Sequence, residues 1–111
     1  MMAPHPETWL RVRPEGLWCE PGGFFIDPRL PVERAIVTHG HSDHARPGMG
    51  AVLATRETLA IMRARMGEGR AGESQQALRY GETISLNGVT VTLRPAGHVL
   101  GSAPVVMEWR G

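Results

Sequence analysis

Three histidines and one aspartate lie within six residues of this chain, directly after the apolar run Ala35-Ile36-Val37. They are His39, His41, Asp43 and His44. Imidazole nitrogens and carboxylate oxygens are the ligands that zinc and similar divalent metals prefer. Because side chains alternate along an extended backbone, His39 and His41 leave it on the same side. Asp43 and His44 then face a different direction, as the chain turns out of the strand. The spacing predicts half of a two-metal hydrolytic site, in which the ions lie about 3.5–4 Å apart.

A further candidate ligand, His98, follows a second strand-like segment at residues 89–93. Catalytic zinc commonly takes three protein ligands and keeps one position for water. We therefore expect His39, His41 and His98 to converge at one edge of a β-sheet and to bind one metal. The alternative is a polar surface loop whose histidines bind metal only incidentally. The position of the cluster after a buried strand favours the built site.

These motifs resemble those of the metallo-β-lactamase superfamily. Residues 38–44 are similar to its first metal motif, and residues 96–103 are similar to the second motif of its nucleic-acid-processing members. True β-lactamases usually carry arginine where His44 stands. Thioesterases and lactonases of the superfamily tend to have proline-glycine-histidine-threonine as the second motif, unlike this chain. The resemblance favours a nuclease.

Residues 9–20 and 22–28 are similar to the opening of bacterial ligase-associated DNA exonucleases, and the likeness covers nearly the whole chain. Those enzymes are relatives of the eukaryotic RNA 3′-end-processing endonuclease and are found alongside an ATP-dependent DNA ligase and a helicase. The resemblance implies a first metal bound by His39, His41 and His98, and a second metal bound in part by Asp43 and His44. Zinc is the expected ion, with manganese as the alternative. Asp43 is the expected catalytic residue, since it can hold the metal-bound hydroxide in line with the phosphorus.

Members of that family are longer than this chain. Beyond the part that it resembles they have a bridging aspartate, later histidines and a further domain. Residues 1–111 are thus expected to be the amino-terminal part of a metallo-β-lactamase-fold domain. The expected fold is α/β, a partial αβ/βα sandwich, mostly strands with one or two helices. The implied function is DNA exonuclease activity in repair, with the isolated chain inactive. The alternatives are an RNA nuclease, thioesterase or lactonase of the same superfamily, or a catalytically dead metal-binding piece.

Composition fits a soluble enzyme without identifying its substrate. The chain has 111 residues, 41% of them hydrophobic, which is enough for a modest core. A formal net charge of +1 is too small to indicate nucleic-acid binding by itself. All 12 basic residues are arginine, and the base composition of a GC-rich genome is favoured over phosphate binding as the reason for this bias. With no apolar leader, no membrane-length run and a single cysteine, the expected compartment is the cytoplasm, with no membrane partner.

The elements that must position these residues are mostly strands, predicted at residues 8–13, 16–20, 23–26, 34–38, 51–54 and 105–109. Strand 105–109 is expected to form an exposed edge. A helix that Thr55 caps should bury Leu59, Met62 and Met66 on one face and end at Gly67. Residues 68–77 are predicted as a polar loop. Segments 83–86 and 89–93 flank Asn87-Gly88, a strong signal for a β-hairpin.

Two further residues receive structural interpretations. Cys19 sits in an alternating strand and is interpreted as a small buried thiol. Asp27 precedes a proline at a strand end, where a hydrogen bond within the turn is favoured. The alternative for Asp27 is that its carboxylate orients the metal loop without touching the metal.

Overall fold

The structure, a computed structural model, describes residues 5–40, 45–95 and 104–109. Within these ranges the chain is a mixed α/β unit, mostly strands with one α-helix, as expected. The elements are β1 (Leu10–Arg13), β2 (Gly16–Cys19), β3 (Phe24–Ile26), β4 (Arg34–Ile36), β5 (Ala51–Ala54), α1 (Arg56–Met66), β6 (Ser74–Ala77), β7 (Thr83–Leu86), β8 (Val89–Leu93) and β9 (Val105–Trp109). Short 3-10 turns lie at Pro6–Thr8 and Glu68–Arg70.

Two sheets form from these strands. The first has the order β1-β2-β3-β4-β5-β6, and the second has the order β7-β8-β9. Strands β1, β2 and β3 pair antiparallel, whereas β3, β4, β5 and β6 are all parallel. The carboxyl ends of β3 to β6 therefore lie along one side of the first sheet, which we call the carboxyl edge.

Beyond the exposed Arg34, strand β4 is covered on both faces, which explains the apolar run at residues 35–37. Ile36 belongs to the core between the two sheets, together with Leu53, Val91 and Leu93. Its neighbour Ala35 belongs to a second core, together with Val37, Val52, Leu59 and Met62, on the side that carries α1. Successive side chains of a strand alternate between faces, so a strand buried on both sides needs apolar residues at every position.

The helix begins and ends where the sequence predicts. The Thr55 side chain accepts a hydrogen bond from the backbone N–H of Thr58 at 3.1 Å, a typical N-cap. Gly67 ends the helix with a φ of 94°, a conformation that favours glycine. Met62 is fully buried and Met66 half-buried against the sheet, as expected. Among the described residues, no helix is long and apolar enough to cross a bilayer.

The predicted hairpin is confirmed and anchors the second sheet to the first. Asn87 and Gly88 have φ angles of 52° and 84°, as a type I′ turn requires. The Asn87 side chain donates a hydrogen bond to the carbonyl of Gly22 at 2.8 Å, which places the turn beside the start of β3. Strand β8 leaves this turn and therefore runs from the start of β3 toward the carboxyl edge.

The prediction of a polar loop over residues 68–77 is wrong for its last part. Residues 74–77 form β6, which pairs parallel with β5. Its side chains are mostly exposed because β6 is the outermost strand of the first sheet, so the apolar signal of a strand is absent. The predicted strands at 8–13 and 34–38 are shorter than expected. In the second sheet, β9 pairs only with β8 among the described residues, consistent with the expected exposed edge.

Proline substitutions test the assignment of β6. The backbone N–H of Ser74 donates to Gly50, just before β5, and that of Leu78 donates to Ala54 at the end of β5, at 2.9 Å each. Donors to one neighbour alternate along a strand. The N–H of Gln76 thus faces β5 and that of Ala77 faces away. Gln76→Pro should lower the free energy of unfolding by about 2 kcal/mol more than Ala77→Pro, because it breaks the ladder. Urea unfolding measures both, and equal losses would contradict the strand.

Candidate metal centre

His39 is the one predicted ligand that lies within the described residues. It follows β4 at the carboxyl edge, where Val37 still donates a backbone hydrogen bond to Leu53 at 3.0 Å. The His39 side chain is half-buried. The other predicted ligands lie outside the described residues: His41, Asp43, His44 and His98. The convergence of these four with His39 therefore stays a prediction.

The carboxylate of Asp27 holds the residue immediately before His39. Its Oδ1 accepts the backbone N–H of Thr38 at 2.8 Å, and its Oδ2 accepts the Thr38 hydroxyl at 2.6 Å. The backbone N–H of Asp27 donates to Ile36 at 2.9 Å. The sequence favours a bond within the turn for Asp27, whereas the structure shows both carboxylate oxygens on Thr38. Asp27 thus ties the end of β3 to the loop that leaves β4.

The backbone of Asp27 adopts a φ of 47°, in the left-handed region. For a residue with a side chain this conformation is uncommon, although aspartate and asparagine tolerate it better than most. It turns the carboxylate from the end of β3 toward the neighbouring strand. The bond to Thr38 could have been suspected from an aspartate at the end of a strand parallel to β4. Its partner could not, because eleven positions separate the two residues.

The chain segment that carries His98 begins and ends at the carboxyl edge. Leu93, the last residue of β8, accepts a hydrogen bond from Gly81 at 2.8 Å. Gly81 follows Leu78, which bonds to Ala54 at the end of β5. The N–H of Arg94 then donates to the carbonyl of Pro104 at 3.1 Å, so the connection between β8 and β9 returns to the point where it started. His98 itself lies outside the described residues, so its placement stays a prediction.

Cys19 does not lie at the carboxyl edge. It is fully buried in the core between the sheets. Burial raises the pKa of its thiol above the ordinary value, and the negative charge of Glu20 adds to the effect. A thiol that resists ionisation is a poor nucleophile and a poor metal ligand. The interpretation of Cys19 as a core residue is confirmed.

Within residues 5–40, 45–95 and 104–109, no three histidine, cysteine, aspartate or glutamate side chains cluster as metal ligands would. Only one of the five predicted ligands belongs to those ranges. What the described residues contribute is the frame: a parallel sheet whose edge carries His39, a carboxylate that fixes the residue before it, and a second sheet that ends at the same edge.

Comparison with known proteins gives one informative match. No known family profile matches the chain. A protein named "Probable DNA ligase" from Opitutus terrae is 37% identical over 94 residues, which cover 84% of this chain and 9% of that protein. The chain thus matches less than a tenth of the length of this curated relative. The match establishes that this chain is similar to a segment of a DNA-processing protein.

Removing the Asp27 carboxylate should loosen the loop that carries His39. Asp27→Ala is expected to lower the free energy of unfolding by about 2–3 kcal/mol, because it leaves two donors of Thr38 without their charged acceptor. Thr38→Val removes only the hydroxyl and should cost about 1 kcal/mol. Urea unfolding of both single variants and the double variant gives the coupling energy, expected near 1 kcal/mol.

Asp27→Asn is the matched control, since asparagine tolerates the left-handed backbone and keeps one acceptor oxygen. The free energy of unfolding of Asp27→Asn should fall between that of the wild type and that of Asp27→Ala. If the losses of Asp27→Ala and Thr38→Val simply added in the double variant, the bond between the two side chains would contribute nothing to stability.

Proposed function

We propose that this chain is the amino-terminal, metal-binding part of a metal-dependent phosphodiesterase that processes DNA ends. The observation that carries the proposal is the placement of the His-x-His-x-Asp-His motif, residues 39–44, directly beyond a buried parallel strand. In sheets of parallel strands, ligand and catalytic residues commonly follow the carboxyl ends of the strands, because the loops there are free to vary while the strands hold them in place.

The proposed metal site assigns each candidate residue a role. The first ion is held by His39, His41 and His98, and a second ion is held in part by Asp43 and His44. Three imidazoles suit zinc, and a mixed carboxylate and imidazole set suits zinc or manganese. When bound, such ions supply Lewis acidity toward a phosphodiester and an acidified water as the nucleophile.

The chain's own groups act around that chemistry. Asp43 accepts a proton or a hydrogen bond at its carboxylate and orients the attacking water. Asp27 and Thr38 keep the backbone in place just before His39, at bond lengths of 2.6 and 2.8 Å. A ligand whose backbone is already held in place loses less conformational entropy when metal binds. This is what supports a built site over an incidental histidine tract.

The match to a segment of "Probable DNA ligase" supports DNA as the substrate rather than a thioester or a lactone. An enzyme that trims DNA ends acts on the same substrate as one that seals them, which agrees with the resemblance to ligase-associated exonucleases. The proposed partners are an ATP-dependent DNA ligase and a helicase. The sealing reaction itself is not assigned to this chain, which matches only 9% of the relative and contains no lysine.

Metal binding comes first among the tests. The 111-residue chain should retain about one zinc per molecule after dialysis, because the three-histidine set is complete and the second set is not. His41→Ala should abolish this tight binding, as elemental analysis would show. His5→Ala is the matched control, since His5 caps a short amino-terminal turn away from the carboxyl edge. Two tightly held ions per chain would contradict the incomplete second site.

Digestion of DNA is the second test, made on the longer polypeptide in which we propose that this chain resides. Asp43→Ala should lower turnover on DNA by several orders of magnitude while DNA affinity changes little, because affinity comes from phosphate contacts elsewhere. Parallel assays on RNA, a thioester and a lactone decide the substrate class. Preferential cleavage of any of these three would replace the proposed DNA substrate, and turnover that survives Asp43→Ala would overturn the role of that carboxylate.

A further inference from the structure

Helix α1 contacts the histidine loop at a glycine. The guanidinium of Arg65 donates a hydrogen bond from Nη1 to the backbone carbonyl of Gly40. Gly40 is buried, and it stands between His39 and His41 in the chain. The bond spans 25 positions of sequence and is half-buried. It therefore joins the last turn of α1 to the centre of the proposed metal-binding motif.

The same glycine packs tightly against a second residue of α1. A methyl group on the Cα of Gly40 would lie 2.6 Å from Cγ2 and 3.1 Å from Cβ of Ile61. Contacts between carbon atoms are optimal at about 3.5–4.0 Å, so any side chain at this position would push the loop and the helix apart. Ile61 and Arg65 are four residues apart and lie on one side of α1, one turn after the other. Together they form a two-point contact, which we call the Gly40 clamp.

The neighbouring arginine makes the assignment specific. Arg63 lies on the same helix, but its guanidinium donates to the side chain of Gln75 at 2.8 Å and pairs with Glu68 at 3.7 Å. Its bonds therefore run along the sheet edge and the turn after α1, away from the histidine loop. Two arginines in the same helix turn thus have different partners, and only the bond of Arg65 reaches the loop.

We propose that Arg65 and Ile61 are positioning residues for the metal site, acting through the backbone of Gly40. The inference rests on the proposed function, because it concerns the ligands on either side of that glycine. The bond fixes the direction of the Gly40 carbonyl, and the Ile61 contact fixes the depth of the loop against α1. The peptide planes that flank Gly40 set the directions in which His39 and the next residues leave the backbone. A displaced plane would misalign the imidazoles toward a shared ion.

The charge of Arg65 and its proposed positioning role predict opposite changes in metal affinity when the residue is removed. The two can therefore be distinguished by experiment. A guanidinium near a divalent cation repels it, so its removal should strengthen metal binding if charge alone mattered. If Arg65 positions the loop, its removal should weaken binding despite the relief of repulsion. Loss of groups that orient metal ligands typically costs about 10–100-fold in affinity. We expect a loss of about tenfold for Arg65→Ala, because the bond holds the backbone rather than a ligand itself.

The experiment measures zinc affinity of the 111-residue chain by competition with a chromophoric chelator, and the visible absorption spectrum with Co²⁺ as the probe metal. Arg65→Ala should weaken zinc binding about tenfold and change the Co²⁺ bands, which report ligand geometry. Arg65→Lys keeps the charge and a donor and should recover part of the affinity. Arg63→Ala, the matched control, removes one arginine from the same helix and should leave both readouts unchanged.

A second pair of variants tests the packing half of the clamp. Gly40→Ala should weaken zinc binding, because the new methyl group collides with Ile61. Adding Ile61→Ala should restore part of the loss by opening space, which a general destabilisation would not do. Circular dichroism and urea unfolding identify any variant that fails to fold, and the remaining variants decide the question.

The outcomes separate the two proposals. If the wild-type chain binds zinc and Arg65→Ala binds it equally well or more tightly, the clamp is wrong and the metal site stands. Equal losses from Arg65→Ala and Arg63→Ala would also overturn the clamp, since they would show a general effect on the stability of α1. If the wild type binds neither zinc nor Co²⁺, the metal site fails, and the role of Arg65 fails with it.

Discussion

The arrangement of this molecule depends on the parallel pairing of β4 between β3 and β5. That pairing buries β4 on both faces, with Ile36 in one core and Ala35 in the other. After the exposed Arg34 at its start, the chain continues with the buried apolar residues 35–37, and polar residues return where it leaves the sheet. The proposed metal-binding motif thus begins just beyond the buried part of β4.

The loop after β4 is held by backbone contacts from two directions. On the side of β3, Asp27 binds both donors of Thr38, and on the side of α1, Arg65 binds the carbonyl of Gly40. His39 lies between these two attachment points. Each contact joins a charged side chain to a neutral group, either a backbone group or the Thr38 hydroxyl, which gives a stronger bond than a pair of neutral groups. The backbone is thus held on both sides of His39.

Much of the fold could be predicted because its signals are local. Thr55 and Gly67 mark the ends of the helix by the chemistry of caps, and Asn87-Gly88 marks the hairpin by its backbone preference. Strand β6 escaped prediction because an outermost strand buries few side chains, so its residues carry no apolar pattern. Its pairing with β5 is a tertiary contact that no local rule contains.

The candidate site likewise has a part that local sequence signals predict and a part that depends on tertiary contacts. The ligand types and their spacing are local, so the sequence indicates metal chemistry directly. The groups that hold the loop are distant in sequence, eleven positions for Thr38 and Asp27 and 25 positions for Gly40 and Arg65. An arginine on an exposed helix turn looks like a solvated charge until the sheet and helix are assembled. Supporting contacts of this kind become visible only in three dimensions.

The hydrogen bond from Asn87 to Gly22 has a consequence for how the chain folds. It joins residues 65 positions apart, and it brings the two sheets together near the start of β3. Contacts this distant in sequence slow folding, because the entropy of closing a long loop is lost before they form. During synthesis the first sheet emerges with Phe24, Ile36 and Leu53 exposed to water until β7 and β8 follow. Apolar surface exposed in this way is prone to aggregate until the second sheet covers it.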